Sequence, residues 1–441
     1  MSEGQTGTPA GAATSTPSVD TATLVLFGAG DFAFNLYWQA IGFFLLFFYI
    51  DVMALPPSVA GTVFMLGAVW DGVADFAAGA SAERLRMSYR RLIGWGAVPL
   101  GLAFAAMFAV PAGAAAWALA AQVVFRTLYA FTNIPYAAWT ARLTTTSRER
   151  SLLAGLRMGF GSLAAVLVAV STPHLVRLLG GYGGATAVLA AIGTPLLLVM
   201  TRRVPEPQPS ISSSPAMTTR DALALLVRNR AFVAVNLATA AAGAAAALTS
   251  QSVLYYFRYV LRSGSDGPNA LAGMAAVGLV AVPLWTALAR TRGARWAWLA
   301  AAVLALVVTL IFAVYPAPSR AATAAFLLLM QAAFAGFSLA SWTLLPDTVE
   351  WGEAHGGHRV EALAFGTFAL VQKVALAGAG FAIGAIYQAG GFVAGAAQGP
   401  SSLAAIRWVM LTGPALLVTA MLVAVIAIPL RRDTLAVLRR A

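Results

Sequence analysis

The sequence from Gly67 to Gly79, GAVWDGVADFAAG, places two carboxylates inside an apolar run that is long enough to cross a bilayer. Asp71 and Asp75 are four residues apart, so in a helix they lie on one face with Cβ atoms roughly 5–6 Å from each other. Two like charges this close in a poorly hydrated region cannot both ionise at low cost. The pair therefore predicts a cation-binding site within a membrane helix. Structural ion pairs with buried arginines are the alternative.

The composition indicates a membrane protein. The chain has 441 residues, of which 60% are hydrophobic and 10% charged, whereas a soluble domain carries about 25% charged residues. The absence of cysteine excludes disulfides and thiolate metal sites. The net charge of +12 comes from arginines in short loops, so it predicts membrane orientation and no nucleic-acid binding. No GxxxxGK[ST] motif occurs, which argues against ATP-driven transport.

Hydrophobic segments divide the chain into spans of about 20 residues or more. Their predicted limits are 23–50, 57–82, 92–111, 115–141, 151–178, 184–201, 231–260, 269–289, 296–315, 321–345, 361–388 and 402–430. This pattern predicts an all-α membrane protein with 12 transmembrane helices in two six-helix halves. Two such halves around a central cavity are typical of secondary transporters, whose sites lie near the midplane.

The loops predict the orientation and the domain limits. Most arginines lie on the side of the membrane that holds both termini. We therefore assign this side to the cytoplasm and the protein to a bacterial-type inner membrane. The predicted order is a disordered cytoplasmic tail (1–22), an N-terminal half (23–201), a cytoplasmic linker with a short amphipathic helix (202–230), a C-terminal half (231–430) and a cytoplasmic tail (431–441). No signal peptide is predicted at the N-terminus.

Few charged residues fall in the interior of the spans, away from the loops and the span ends. They are Asp31, Asp71, Asp75, Arg126, Arg157 and Lys373. Lys373 is the only lysine of the chain and lies in the eleventh span. Arg126 either faces a cavity or extends its charge to the membrane surface. Asp51, at the outer end of the first span, is predicted to be a solvated acid at a helix end.

Four segments resemble one transporter family along nearly the whole chain. They are GDFAFNLYWQAIGFFLLFFYIDVMAL (30–55), GTVFMLGAVWDGVADFAAGASAERLR (61–86), TNIPYAAWTARLTTTSRERSLL (132–153) and PDTVEWGEAHGGHRVEALAFGTFALVQK (346–373). The second is similar to a W-D-x-x-x-D-P-x-x-G pattern, with Phe76 in place of the proline. Together they resemble the glycoside–pentoside–hexuronide:cation symporters of the major facilitator superfamily, whose best-known member is the bacterial melibiose permease.

The resemblance implies a cation site formed by Asp71, Asp75 and Lys373. A lysine ~4 Å from an acid contributes on the order of 4 kcal/mol at an effective dielectric constant of 20, so it can neutralise one acid until a cation enters. The coupling ion is H⁺ or Na⁺. Ala74 and Ala130 stand where the sodium-coupled relative has an amide and a hydroxyl, and this loss of oxygens favours H⁺.

The resemblance assigns Asp31 and Arg157 to the hydroxyls of a sugar. Asn133 stands where the melibiose permease has an acid, and it can still bind a hydroxyl. Ala137 replaces an aromatic ring, so Tyr129, Tyr136 or Trp139 must supply the platform for a sugar. The predicted substrate-binding residues are Asp31, Tyr129, Asn133, Arg157 and Lys373.

The resemblance also implies a cytoplasmic gate network made of two loops. Its residues near the second and third spans are Glu83, Arg84, Arg90 and Arg91. Its residues before the eleventh span are Asp347, Glu350, Glu353, Arg359 and Glu361. A gate is favoured over a binding site for both groups.

The predicted function is cation-coupled symport of a sugar-like or glycoside-like solute by alternating access. The alternatives are symport of a lysolipid or another amphipathic substrate, and a non-transporting sensor on the same fold. An intramembrane aspartyl protease needs its acids on different helices, so an enzyme is not predicted. The three histidines lack the spacing of a metal site. Beyond the coupling ion we predict no cofactor, and we expect a monomer whose partners are the solute, a monovalent cation and the bilayer.

Overall fold

The computed structural model describes residues 19–85, 88–144, 147–206, 219–314, 319–356 and 360–430, and every regular element in these ranges is helical. The helices of the first half are α1 (Thr21–Ala40), α2 (Pro57–Leu85), α3 (Tyr89–Met107), α4 (Ala115–Leu143), α5 (Ser147–Leu179) and α6 (Tyr182–Arg203). Then follow α7 (Thr219–Arg228), α8 (Arg230–Tyr255), α9 (Asp266–Arg292), α10 (Ala294–Val314), α11 (Arg320–Gly356), α12 (Glu361–Ala389), α13 (Pro400–Arg407) and α14 (Gly413–Ala427). The predicted all-α class is confirmed.

Short π-helical segments lengthen two of these helices and join two others. Ile41–Leu45 and Phe48–Val52 continue α1, and Tyr256–Val260 continues α8. Trp408–Thr412 joins α13 to α14. Because a π turn shifts the register of the side chains that follow it, these segments re-aim the residues at the ends of α1 and α8.

Nine stretches among the described residues are long and apolar enough to cross a membrane, by length and composition. They lie in α2, α5, α6 and α8 to α14, where α13 and α14 count as one stretch. Helices α1, α3 and α4 are outside this set, so the count of twelve spans stays a prediction. So do the domain limits and the cytoplasmic position of the termini. The predicted tails fall mainly on residues 1–18 and 431–441, which lie outside the described residues.

The predicted loop before α12 is in large part helical. α11 continues past Pro346 to Gly356, although a proline inside a helix removes one backbone hydrogen bond. Thr348 and Val349 are buried in this extension, and the Thr348 carbonyl accepts a hydrogen bond of 2.8 Å from Asn229 Nδ2. Packing against the start of α8 thus stabilises a helix that the proline alone would end.

The two halves meet along two helix pairs, α2 with α12 and α5 with α9. α2 and α12 approach most closely at Gly61 and Gly384. A Cβ atom at position 384 would lie 2.3 Å from the Pro57 carbonyl oxygen and 2.9 Å from Gly61 Cα. Only glycine at both positions lets the two backbones come this close.

One end of the bundle is held by the buried carboxylate of Asp51. Tyr259 donates a hydrogen bond to it, Arg258 Nη1 lies 3.3 Å from its Oδ1, and the Tyr259 hydroxyl accepts from the Gly395 amide at 3.0 Å. The side chain of Asp51 is 0% exposed. The prediction of a solvated acid was wrong because the π segments of α1 and α8 bring these side chains together across the two halves. We call this the Asp51 end.

The other end carries most of the arginines, and we call it the arginine-rich end. There the carboxylate of Glu206 accepts hydrogen bonds from the Tyr89 and Arg90 amides, at 2.9 and 3.1 Å, and from the Ser88 hydroxyl. Arg142 Nη1 lies 3.1 Å from the same carboxylate. These contacts join α3, α4 and the residues after α6, all within the first half.

Candidate functional site

The glycine contact sets the register that brings the predicted cation-site residues together. α2 and α12 run antiparallel, and Asp71 and Lys373 each lie about 15 Å from the contact at 1.5 Å per residue. Lys373 Nζ is 2.7 Å from Asp71 Oδ2 and also contacts the carboxylate of Asp75. The structure thus gathers Asp71, Asp75 and Lys373 into one cluster, while their roles stay predictions.

Arg126 adds a second cation to this cluster. Its Nη1 lies 3.6 Å from Asp71 Oδ2, and both side chains are 1% exposed. Its Nε donates a hydrogen bond of 3.0 Å to Gln122 Oε1, and Gln122 Nε2 donates one of 3.1 Å to the Val63 carbonyl. A Cβ at Gly67 would lie 2.0 Å from Gln122 Oε1, so the glycine makes room for this amide. Arg126 is therefore a buried ion-pair partner and does not extend to the membrane surface.

Two carboxylates therefore face two basic groups, and the four charges cancel when all are ionised. This balance changes the expectation drawn from the acid pair alone, which required a proton or an external cation. Asp71 and Arg126 are almost fully buried, whereas Lys373 and Asp75 are 20% and 24% exposed. Only the Lys373–Asp75 part of the cluster is open to water or to a solute.

A second charged pair lies nearby within the first half. Asp31 Oδ1 accepts hydrogen bonds from Arg157 Nε at 3.1 Å and from Arg157 Nη2 at 2.9 Å. Arg157 Nη1 also donates to the Thr140 hydroxyl at 3.2 Å. The pair is partly exposed, so a solute can reach it. α1 carries Asp31, α5 carries Arg157, and α4 carries the Thr140 hydroxyl that helps to position the pair.

Two amides that the sequence interpretation overlooked extend this pair along α1. Asn35 Nδ2 donates to Asp31 Oδ2 at 3.3 Å, and Gln39 Nε2 donates to Asn35 Oδ1 at 3.3 Å. Asp31, Asn35 and Gln39 follow each other at intervals of four residues, so they share one face of the helix. This spacing in the sequence could have predicted that Asn35 and Gln39 belong to the site.

Tyr129 lies on α4, one turn after Arg126. It stacks on Trp38, with ring centroids 5.7 Å apart. Its side chain is half-buried, and so is that of Asn133, one turn further along α4. Both predicted substrate-binding residues of this helix are therefore partly accessible.

Tyr136 and Trp139, the other two rings considered as a sugar platform, are fully buried. Tyr136 donates a hydrogen bond of 2.8 Å to the Phe27 carbonyl and stacks on the Phe27 ring. Trp139 meets the same ring edge-on. These two aromatics support the fold, which leaves Tyr129 and its neighbour Trp38 as accessible rings.

The predicted gate residues are only partly described. The side chains of Glu83, Arg84 and Glu361, and the whole of Arg359, lie outside the described residues. Arg90 and Arg91 are exposed at the start of α3. In the helical extension of α11, Asp347 is buried, Glu350 half-buried and Glu353 exposed. The gate network stays a prediction.

Comparisons with known proteins agree with this architecture. The family described as MFS/sugar transport protein matches residues 26–432. The isoprimeverose transporter of Lactiplantibacillus pentosus is 25% identical over 407 residues, 88% of this chain and 85% of the relative. The inner membrane symporter YicJ of Escherichia coli (strain K12) is 25% identical over 388 residues, 83% of this chain and 82% of the relative.

A solved structure supports the fold independently. The crystal structure of the nucleoside transporter NupG matches with a TM-score of 0.69 and 13% identity, and the match covers 93% of this chain and all of that one. At this identity the likeness concerns the fold alone. The family match spans most of the sequence, and the relatives are transporters with no enzyme among those named here. The chain therefore belongs to the MFS/sugar transport protein family of membrane transporters.

Proposed function

We propose that this protein is a secondary transporter that couples symport of a polyhydroxylated, sugar-like solute to a cation gradient. The observation that carries the proposal is the cluster of Asp71, Asp75, Arg126 and Lys373, which joins α2 and α4 of one half to α12 of the other. Any change in the charge of Asp71, Asp75 or Lys373 changes the electrostatic attraction between the two halves. Membership of a sugar transport family and the similarity to an isoprimeverose transporter and to an inner membrane symporter support symport of sugars.

We infer that the coupling ion is H⁺. A sodium ion stripped of water needs several oxygen ligands, whereas a proton needs one carboxylate. The cluster already holds two basic side chains, and Ala74 and Ala130 next to it are buried with only methyl groups to offer. A proton on Asp75 forms an O–H bond and needs no further ligand.

The exposures assign different tasks to the two acids. Asp75 is partly exposed and is our candidate for the proton, while Asp71 stays with Arg126. Protonation of Asp75 removes its attraction for the Lys373 ammonium group. Lys373 then has Asp71 as its remaining acidic partner, and its side chain can turn toward water or solute. The Asp31–Arg157 pair offers acceptor and donor atoms for sugar hydroxyls. Coupling requires that proton binding and solute binding each favour one of the two arrangements of the halves in alternating access. Protonation of Asp75 does so by weakening the contact of Asp75 with Lys373.

The test is uptake into proteoliposomes under one imposed gradient at a time. A panel of radiolabelled glycosides that includes neutral methyl β-D-glucoside and an anionic β-D-glucuronide supplies the probes. We expect an inwardly directed proton gradient to drive accumulation of at least one glycoside, and a sodium gradient at constant pH to drive none. Accumulation that follows sodium alone contradicts the H⁺ assignment. Binding of a glycoside without any uptake identifies a sensor.

An amphipathic solute is the second candidate, and one observation favours it. A cavity of about 620 Å³ lies between α8, α12 and α14 and is lined by apolar residues, among them Leu237, Leu248, Val374 and Leu417. An acyl chain fits such a lining. Addition of lysophosphatidylcholine to the same panel separates the two candidates, because only the second predicts its uptake.

A further inference from the structure

A small cavity lies between the two halves, on the side of α1 that carries Gln39. Its volume is about 130 Å³. The residues that matter here are Trp38 and Gln39 from α1, Phe64 from α2, Ser250 and Gln251 from α8 and Leu376 from α12. Both halves therefore contribute to its wall, and its described lining contains amide, hydroxyl and aromatic groups but no charged side chain.

Gln251 is the unusual member of this lining. Its side chain is 4% exposed, and neither its Nε2 nor its Oε1 has a hydrogen-bond partner among the described residues. A buried amide without partners costs free energy that water or a ligand hydroxyl recovers. Because an amide donates and accepts at once, it is suited to two neighbouring hydroxyls.

The opposite wall is connected to the Asp31–Arg157 pair. Gln39 donates to Asn35, and Asn35 donates to Asp31, so one polar ladder runs from that pair to the cavity. Trp38 lines the same wall and stacks on Tyr129. An aromatic face beside hydrogen-bonding amides is the surface that a pyranose ring needs, with its C–H face on the ring and its hydroxyls on the amides.

We propose that Gln39 and Gln251 bind vicinal hydroxyls of a neutral sugar ring from opposite halves, with Trp38 as the stacking surface. At about 130 Å³ the cavity admits several waters or one edge of a sugar ring. The uncharged lining selects the neutral end of a glycoside, and any carboxylate of the solute belongs nearer Arg157. This subsite rests on the proposed function and adds the contact that the second half makes with the solute.

A thiol reporter tests occupancy of the cavity. The chain contains no cysteine, so Ser250→Cys creates one thiol in the lining with little change in size. We expect a transported glycoside to slow alkylation of this thiol by N-ethylmaleimide several-fold. The matched control is Ala375→Cys, on the apolar cavity of α8 and α12, where the same glycoside should give no protection.

The recognition itself is tested with deoxy analogues of the transported glycoside. In the wild type, removal of the contacted hydroxyl should raise KM about tenfold or more, because the buried amide loses its partner. Gln251→Leu should raise KM for the parent glycoside and abolish the difference between parent and analogue, and Gln251→Asn should restore part of it. Thr249→Val serves as the control, because the Thr249 hydroxyl donates to the Ala245 carbonyl within α8. This variant should keep the difference in KM between the parent glycoside and its deoxy analogue.

The outcomes separate the subsite from the proposed function. If wild-type vesicles accumulate a glycoside but Ser250→Cys gains no protection, or Gln251→Leu keeps the full discrimination, the subsite is wrong and symport stands. If wild-type vesicles accumulate no glycoside at all, the proposed function fails and the subsite fails with it.

Discussion

The Asp31–Arg157 pair and the Asp71 cluster differ in which helices they connect. The Asp31–Arg157 pair joins α1 to α5 within the first half and is partly exposed. The Asp71 cluster joins α2 and α4 to α12 across the two halves, and its Asp71–Arg126 part is almost completely buried. A solute can occupy the first without altering how the halves meet. A charge change in the second cannot avoid altering it.

Removal of both acids of the cluster should have the largest effect on coupling. We expect the double variant Asp71→Asn, Asp75→Asn to lose gradient-driven accumulation altogether, because no titratable carboxylate remains in the cluster. Exchange of solute down its own gradient should survive, since it needs no net proton movement. The measurement is accumulation against exchange in the same proteoliposomes. Wild-type accumulation by the double variant would refute the coupling role.

Arg126 gives the next largest effect. Arg126→Met leaves a buried carboxylate with one partner fewer, and breaking a buried ion pair from one side costs about 3–5 kcal/mol. The double variant Arg126→Met, Asp71→Asn removes both charges and should recover most of that stability. Thermal unfolding of the purified proteins measures the difference. Equal stability of the single and double variants would mean that Arg126 does not stabilise the charge of Asp71.

The Arg126→Met variant also sharpens the assignment of the ion. The cluster then has an excess negative charge and a space beside Asp71 that a small cation can enter. We expect this variant to gain stabilisation by NaCl over choline chloride at equal ionic strength, which the wild type should not show. A wild type that sodium stabilises to the same extent would contradict the assignment of H⁺.

The pair within the first half should affect solute binding and leave coupling intact. Asp31→Asn or Arg157→Gln would remove the proposed hydrogen bonds to solute hydroxyls, each of which contributes about 1.5–3 kcal/mol when a charged group is involved, so KM should rise roughly 10- to 100-fold. The ratio of protons to solute should stay unchanged. Uptake kinetics with simultaneous pH recording tests both points, and a changed ratio would place this pair in the coupling machinery.

The smallest effect concerns the contact on which the cluster depends. Gly384→Ala places a methyl group 2.3 Å from the Pro57 carbonyl oxygen, and overpacking of this kind costs about 1–3 kcal/mol. Gly378 lies on the same helix, and a Cβ added there would meet nothing within 4 Å, so Gly378→Ala should be nearly neutral. Thermal unfolding of the two variants makes the comparison, and equal melting temperatures would show that the close approach is not needed.

Much of the cluster could be predicted because its signals are local or unique. Asp71 and Asp75 share a helix face by spacing alone, and Lys373 is the only lysine that a buried acid could use. Arg126 was left open because its neighbours depend on how α4 packs against α2. In helices that are apolar on every side, periodicity does not reveal the face that meets another helix.

The ends of the helices were harder to predict, for two physical reasons. Asp51 finds its partner Tyr259 more than 200 residues away in sequence, through π segments that no composition rule anticipates. The tenth span was predicted to end at position 345, yet α11 continues past Pro346, because tertiary contacts at Thr348 outweigh the backbone defect of the proline. In both places long-range packing overrides the local signal.

The close approach of Gly61 and Gly384 has a mechanical consequence, because it can act as a fulcrum. With a lever arm of about 15 Å from the contact to the acids, a rocking of about 10° displaces Asp71 by roughly 2.6 Å. That displacement is comparable to the 2.7 Å between Asp71 and Lys373. A slight tilt about a nearly motionless pivot therefore suffices to open or close the charge contact completely. Spin labels beside the pivot should barely move when solute and protons are added, while labels at the arginine-rich ends of α2 and α12 should separate by several times more.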